Sequence, residues 1–368
     1  MKKRRKALAA LLCLTMVCAI GCGEKKDKED SQEGSVKEEQ SKEEGAIEGE
    51  EYLNQIKEAW KAHQAEEIRG YIESRNSNRT ESRIDTANQQ VKTEEYYVSD
   101  GQEELKDTEF LTKEGENYYL YKEAHSPKSP DMVSLKILLE SGDESQTTYD
   151  DYVGHFGGEL FEEDENTEIV SISVTQEGEE EIDGISTEKF TVEYEKKAKA
   201  GGELTKEELM GRHGWTEKHL ELLEGMSEAV DLYVSMANAE ADGLAEEPVT
   251  KRETFYLSSS DHKLVRSQKI VETGNYADMA LEDLAGVINR YEKSIASQYA
   301  SSEQEEMEMA MEINGFTMEY VIEEIRNWQV DYSELTTDYL TGEECGTIEG
   351  LPEDAKEVTW EQYRNNEF

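Results

Sequence analysis

The chain has 368 residues, of which 86 are Asp or Glu and 39 are Lys or Arg, giving a formal charge of −47. This balance excludes nucleic acid as a partner, because phosphate binding needs basic stripes. It also repels an anionic bilayer, so any attachment to a membrane must come from acyl chains and not from a polybasic face.

The first segment carries Lys2, Lys3, Arg4, Arg5 and Lys6 ahead of the run Ala7–Ile20, whose only polar side chain is Thr15. A basic start and an apolar run of this length make a secretory signal, too short and wrongly flanked for a stable span. The run closes on Ala19-Ile20-Gly21-Cys22, which resembles a bacterial lipobox, with Ala19 where that motif usually has Leu. The resemblance implies diacylglycerol transfer to the Cys22 thiol, cleavage after Gly21 (residues 1–21 being the signal) and a palmitate-bearing lipoprotein. Such a chain is held at the cell membrane by its lipid and faces away from the cytoplasm. Cleavage removes five cations and no acidic residue, taking the charge from −47 to −52. Cys13 and Cys18 leave with the signal, Cys22 is acylated, and Cys345 is then alone, so no intrachain disulfide is expected. Glu343 and Glu344 beside Cys345 disfavour a thiolate, so it is not expected to be a nucleophile.

Residues 22–49 read as a disordered acidic tether. From Gly23 onward its residues are almost all Glu, Lys, Asp, Ser, Gln and Gly, with Val36, Ala46 and Ile47 the apolar exceptions. Such a segment cannot bury enough apolar area to offset the entropy of ordering, and acts as a spacer. At Glu50 the pattern changes. Leu53, Ile56, Trp60, Ile68, Tyr71 and Ile72 recur at helical spacing and predict an amphipathic helix to about Ser74, followed by a polar linker, Arg75–Asp85.

Strands follow. Val91, Thr93, Glu95 and Tyr97 alternate before the turn Asp100-Gly101; Leu105–Thr112, Tyr118–Tyr121 and Met132–Leu139 come next, with Pro127 and Pro130 as breaks. The stretch Ser141–Asp164 reads as irregular, with a short helix hinted at by Tyr149, Tyr152, Val153 and Phe156. Ile169–Thr175 and Phe190–Tyr194 predict an antiparallel pair around Asp183-Gly184. The section 198–245 reads as helical. Thr205 and Glu208 form a capping box, Gly211 and Gly214 break a first short helix, and Thr216 opens a longer one with the stripe Leu220 to Ala237. Pro248 ends it. Strands resume at Thr250–Leu257 and His262–Val271, then a second helical insertion occupies 276–300.

The stretch Glu306–Glu323 has two readings. A hairpin around Asn314-Gly315 puts Met307, Met309, Met311, Ile313, Phe316, Met318, Tyr320 and Ile322 on one face; against it, Glu, Met and Ala are good helix formers, and Val321-Ile322 breaks strict alternation. The hairpin is the favoured reading. Trp328–Tyr339 continues as strand, and a last element lies near Val358–Tyr363.

The sum predicts an α+β fold over residues 50–368: one curved, antiparallel half-barrel of roughly ten strands with helices packed on one face. Together with the lipobox at Cys22 and the predicted helix at 50–74, two strand pairs carry a family resemblance. They are Ile182-Asp183-Gly184-Ile185 leading into Phe190–Tyr194, and Thr254–Leu257 with Lys263–Val265. These segments resemble the LolA/LppX-like half-barrels of bacterial lipoproteins and lipoprotein carriers. The resemblance implies binding of an apolar or lipid ligand in the concavity of the sheet, with no catalytic residues to carry over.

The residues themselves point to no enzyme. The six histidines form no HExxH, His213 and His219 lie some 240° apart round a helix, and no GxSxG, Walker or GxGxxG motif occurs. No metal or cofactor is expected. The soft constellation is Met307, Met309, Met311, Met318 and Tyr320, a candidate apolar ligand surface of the adaptable kind that Met provides, with ordinary core packing as the competing reading. Expected partners are the membrane through the lipid anchor and an apolar ligand. The alternative is a tethered interaction module that engages another envelope protein.

Overall fold

A computed structural model describes residues 35–99, 101–125, 132–139, 149, 153, 156, 160–162, 167–199, 203–293, 302–346, 348, 351, 354–364 and 368. The signal, Cys22, the tether as far as residue 34, both loop prolines and most of 141–164 lie outside the described residues. The fold is α+β, built on one open, curved sheet of twelve strands. The order across it is β12-β6-β5-β4-β3-β2-β1-β11-β10-β9-β8-β7. The strands are β1 (Ile68–Arg75), β2 (Asn78–Asp85), β3 (Gln90–Ser99), β4 (Gln102–Glu114), β5 (Asn117–His125) and β6 (Met132–Leu139). Then come β7 (Thr167–Ile182), β8 (Ile185–Ala198), β9 (Val249–Ser258), β10 (Leu264–Asn275), β11 (Val330–Thr341) and β12 (Lys356–Thr359). All neighbours are antiparallel except β12, which runs parallel to β6, so the sheet is mixed and has two strands more than the ten predicted.

The extra strands come from the segment expected to be helix and linker. Helix α1 spans Ser35–Ala65, starting inside the stretch read as tether and ending nine residues before Ser74. Ile68, Tyr71 and Ile72 belong to β1, which pairs with β2 and β11. Gly70 is a poor helix former and lies against the β2 backbone, where a Cβ would sit 3.0 Å from the Ser82 carbonyl oxygen. β2 looked like a linker because its alternation is written in polar residues. Ser82 and Ile84 point inward, while Arg79, Glu81 and Arg83 form a ladder of ion pairs reaching Glu94 (2.9 Å) and Glu103 (3.1 Å) on the next strands.

The edge strand β7 is long and carries Glu177, Glu179, Glu180 and Glu181 with two irregularities in its register. Charge and bulges of this kind oppose edge-to-edge pairing. The Asp183-Gly184 turn into β8 is as predicted, with both residues at positive φ.

Helix α1 crosses one face of the sheet. Gly49 lies against the backbone of Val174 on β7, the Tyr52 ring meets Phe190 of β8 at 5.3 Å, and Gln55 bonds His262 in the β9–β10 turn at 2.8 Å. Ile56, Ala59 and His63 of the helix are buried against the sheet. The core there is made by Tyr71, Ile84, Val91, Leu111, Phe190, Val192, Tyr194, Phe255 and their neighbours. Near its end, the His63 Nε2–H donates to the Leu340 carbonyl at 3.1 Å, between the rings of Tyr71 and Tyr339. Burial, outweighing the Leu340 carbonyl, pulls the His63 pKa down to about 4. The stability contributed by this neutral ring is therefore full above pH 6.5 and lost as pH falls toward 4. His63→Phe should flatten that part of the profile of unfolding midpoint against pH; an unchanged slope would refute the assignment.

The inserted helices build a second core. Between β8 and β9 lie α2 (Lys206–His213), α3 (Glu217–Leu222) and α4 (Met226–Glu246). Between β10 and β11 lie α5 (Tyr276–Lys293), α6 (Glu303–Ile313) and α7 (Met318–Asn327); a short α8 (Trp360–Arg364) follows β12. The Thr205 capping box opens α2 as predicted, but the helix runs through Gly211 and is closed by Gly214 at φ 71. The longer helix expected from Thr216 is broken at Leu223–Gly225 into α3 and α4.

The predicted hairpin at 306–323 is instead two helices. The Ser302 Oγ accepts from the Glu305 N–H and opens α6, and the Thr317 Oγ1 accepts from the Tyr320 N–H and opens α7. Asn314-Gly315 ends α6, with Gly315 at φ 81. Asn-Gly serves a helix C-terminus as readily as a hairpin, because both require a left-handed residue. Met307 and Met311, one helical turn apart, are both buried, as are Val321, Ile322 and Ile325. They pack with Leu223, Met226, Val230, Tyr233, Leu284, Val287 and Ile288.

Candidate functional site

The face of the sheet under α1 holds a small hollow of about 50 Å³, lined by Trp60, Glu73, Leu160, Glu253, Phe255, Ser267, Lys269, Leu335, Thr337 and Tyr339. It has room for a water or two, not for an acyl chain. Part of its polar lining is already hydrogen-bonded: the Tyr194 hydroxyl donates to the Glu253 carboxylate at 2.6 Å, and Ser267 bonds Tyr339 at 3.0 Å. Burial raises the pKa of Glu73, opposed by Lys269 and Arg75.

The large concavity lies among the inserted helices. It is a partly open groove of about 1050 Å³ between the α3–α4 joint, α6 and α7. Leu223, Met311, Phe316, Met318 and Ile322 supply its apolar surface. Gly225 makes the close approach of the walls possible. It opens α4 at φ 88, and a Cβ there would lie 3.2 Å from Ile322 Cδ1 and 3.7 Å from Met318 Cβ. The rim is acidic: Glu224, Glu228, Glu308, Glu312, Glu319 and Glu323 face a single cation, Arg326, which donates to Glu228 at 2.6 Å.

Of the five side chains proposed from the sequence, Met311 and Met318 line this groove. Met307 is fully buried in the helical core, Met309 is half-buried, and Tyr320 is 45% exposed with its ring 6.4 Å from Phe316. Outside that set, Phe316 and Ile322, which the hairpin reading puts on the same face as the methionines, line the groove together with Leu223 and Gly225. The Gly after an amphipathic segment would have flagged the last two.

A second cluster stands where the helical layer meets the sheet. Burial pushes the Glu240 carboxyl on α4 up to about 8, against the Trp328 indole, with Glu272 of β10 and Asp278 of α5 adding to the rise. The Tyr233 hydroxyl donates to Asp278, whose own pKa is raised chiefly by burial. Cys345 is buried, and burial followed by Glu344 pushes its thiol up to about 11, so it is not poised as a nucleophile. Among the described residues, no three His, Cys, Asp or Glu side chains converge as a metal site, and no helix is long and apolar enough to cross a membrane.

No protein-family model and no curated protein sequence matches the chain. Among solved structures it is similar to the lipoprotein LppX of Mycobacterium tuberculosis, at 11% identity and a TM-score of 0.26, covering 59% of this chain and 86% of that one. It is also similar to LprF from Mycobacterium bovis, at 8% identity and a TM-score of 0.31, covering 83% and 98%. Likeness of this degree assigns neither a family nor a ligand, and the site has to be read from its own residues.

Proposed function

We propose that the protein is an extracytoplasmic lipoprotein, acylated on Cys22 and held at the outer face of a cell membrane, whose folded part binds a ligand with an apolar portion without chemically altering it. The Lys2–Cys22 sequence supports the anchor. The observation that carries the binding role is the groove between α4, α6 and α7, whose volume lies at the upper end for ligand sites and whose lining sets Phe316 and Met318, backed by the buried Leu223, Met311 and Ile322, within an acidic rim. The concavity of the sheet is the weaker location, because the hollow beside Trp60 of α1 measures about 50 Å³ and the neighbouring one at Tyr194 and Lys269 about 170 Å³, both below the usual size of a ligand site.

Two measurements test this reading. In cells fed an alkyne-tagged fatty acid, the chain should take up label and fractionate with membranes, and Cys22→Ala should lose both; label retained by the variant overturns the anchor. The unacylated Cys22→Ala chain should bind the neutral dye N-phenylnaphthylamine saturably, and adding Phe316→Lys should abolish the signal. A signal indifferent to Phe316 would remove the groove from the proposal.

A further inference from the structure

Resting on the groove as a ligand site, we infer that its occupant is a basic amphipathic helix of a partner protein. Three features select this class. The first is charge: six glutamates against one arginine, itself paired with Glu228, leave a rim that attracts cations and repels anionic lipid headgroups. The second is the spacing of the walls. Met311 of α6, Met318 and Ile322 of α7 and Phe316 in the turn between them offer a trough for apolar side chains placed at i, i+3, i+4 and i+7. Lys and Arg side chains flanking such a face lay their stems over apolar surface and carry their charges outward, where the groove places Glu312, Glu319 and Glu323. The third is unspent apolar surface at the same end. Ile313, in the last turn of α6, is 76% exposed and Tyr320, in the first turn of α7, 45%, so the two apolar side chains flank the turn that carries Phe316. Tyr320 continues the trough through its ring contact with Phe316.

The rim glutamates stand in pairs one turn apart, Glu308 and Glu312 on α6 and Glu319 and Glu323 on α7, while Arg326 in the last turn of α7 is neutralised by Glu228.

The test uses the unacylated Cys22→Ala chain and three probes: a fluorescent amphipathic helix of Leu and Lys, its Leu and Glu counterpart, and phosphatidylglycerol vesicles. The Leu/Lys helix should bind saturably and weaken with salt. Glu312→Lys, Glu319→Lys and Glu323→Lys together should weaken it about tenfold. Because the whole protein is acidic, the control is an equal reversal on the β7 edge at the exposed residues Glu179, Glu180 and Glu181, which should leave binding unchanged. Equal loss in both triple variants would reduce the attraction to net charge and overturn the inference, as would equal binding of the Leu/Glu helix. Groove-dependent binding of the vesicles would replace the helix with a lipid surface. If the neutral dye still binds while the Leu/Lys helix does not, only this inference falls; if neither binds, the groove itself is lost as a ligand site.

Discussion

Replacing Phe190 by Ala is expected to lower the stability of the protein by about 3–5 kcal/mol, the usual cost of emptying a fully buried aromatic site. Phe190 is 0% exposed on β8, pairs in register with Phe255 of β9, and receives the Tyr52 ring of α1 at 5.3 Å. The loss therefore acts twice, as a cavity in the sheet core and as a loosened seat for α1. Urea unfolding followed by far-ultraviolet circular dichroism should show the midpoint falling. Amide exchange along residues 50–65 should speed up relative to the helical layer, which has its own core. A change below about 1 kcal/mol would mean that the site collapses around the deletion or that α1 does not bear on it. Ile313→Ser, at the most exposed apolar position described, is the contrasting case and should stay within about 0.5 kcal/mol.

Glu240→Gln should stabilise the protein by an amount that grows from nothing near pH 4.5 to its full size above about pH 8. The carboxyl titrates at about 8 in the fold against an ordinary value of 4.5, so the folded state holds its proton more tightly than the unfolded chain does. For an acid shifted upward, stability is greatest below pH 4.5, declines as pH rises toward 8, and stays low above that. Solvent reaching this half-buried group screens the effect and leaves about 2 kcal/mol at stake. Gln keeps the shape and removes the charge. The variant and the parent should have equal thermal midpoints near pH 4.5, with the variant's the higher at pH 9. A midpoint difference that does not change with pH would show that the substitution acts by packing alone.

Much of the sheet was legible because its strands alternate in hydrophobicity and its turns carry Gly at the positions that need it, as at Asp183-Gly184 and Gly115. What escaped was structure whose pattern is shared by two outcomes. β2 presents alternating Arg and Glu on its outer face, which read as a linker although cross-strand ion pairs make it a strand. Ile68, Tyr71 and Ile72 fit a helix face as well as a strand, and only the pairing with β2 and β11, distant in sequence for β11, decides between them. At 306–323 the alternation around Asn314-Gly315 favours a hairpin, while Glu, Met and Ala favour helix. The deciding signals were Ser302 and Thr317, each placed before an acidic first turn, which cap two helices. The groove depends on that choice. Its walls are side chains of α6, α7 and the turn between them brought against the α3–α4 joint, so a hairpin reading puts Met311, Phe316, Met318 and Ile322 on one face but does not bring Leu223 and Gly225 against them.

The path of α1 has a mechanical consequence. The helix touches β7 at Gly49, β8 at Tyr52, the β9–β10 turn at Gln55 and β11 at His63, and then turns directly into β1 in the middle of the sheet. A pull on the chain ahead of Gly49 meets these contacts in series, the outermost first, before any tension reaches a paired strand. The helix is therefore built to yield contact by contact under load, like a strip peeled from one end, while the twelve-stranded sheet behind it keeps its register.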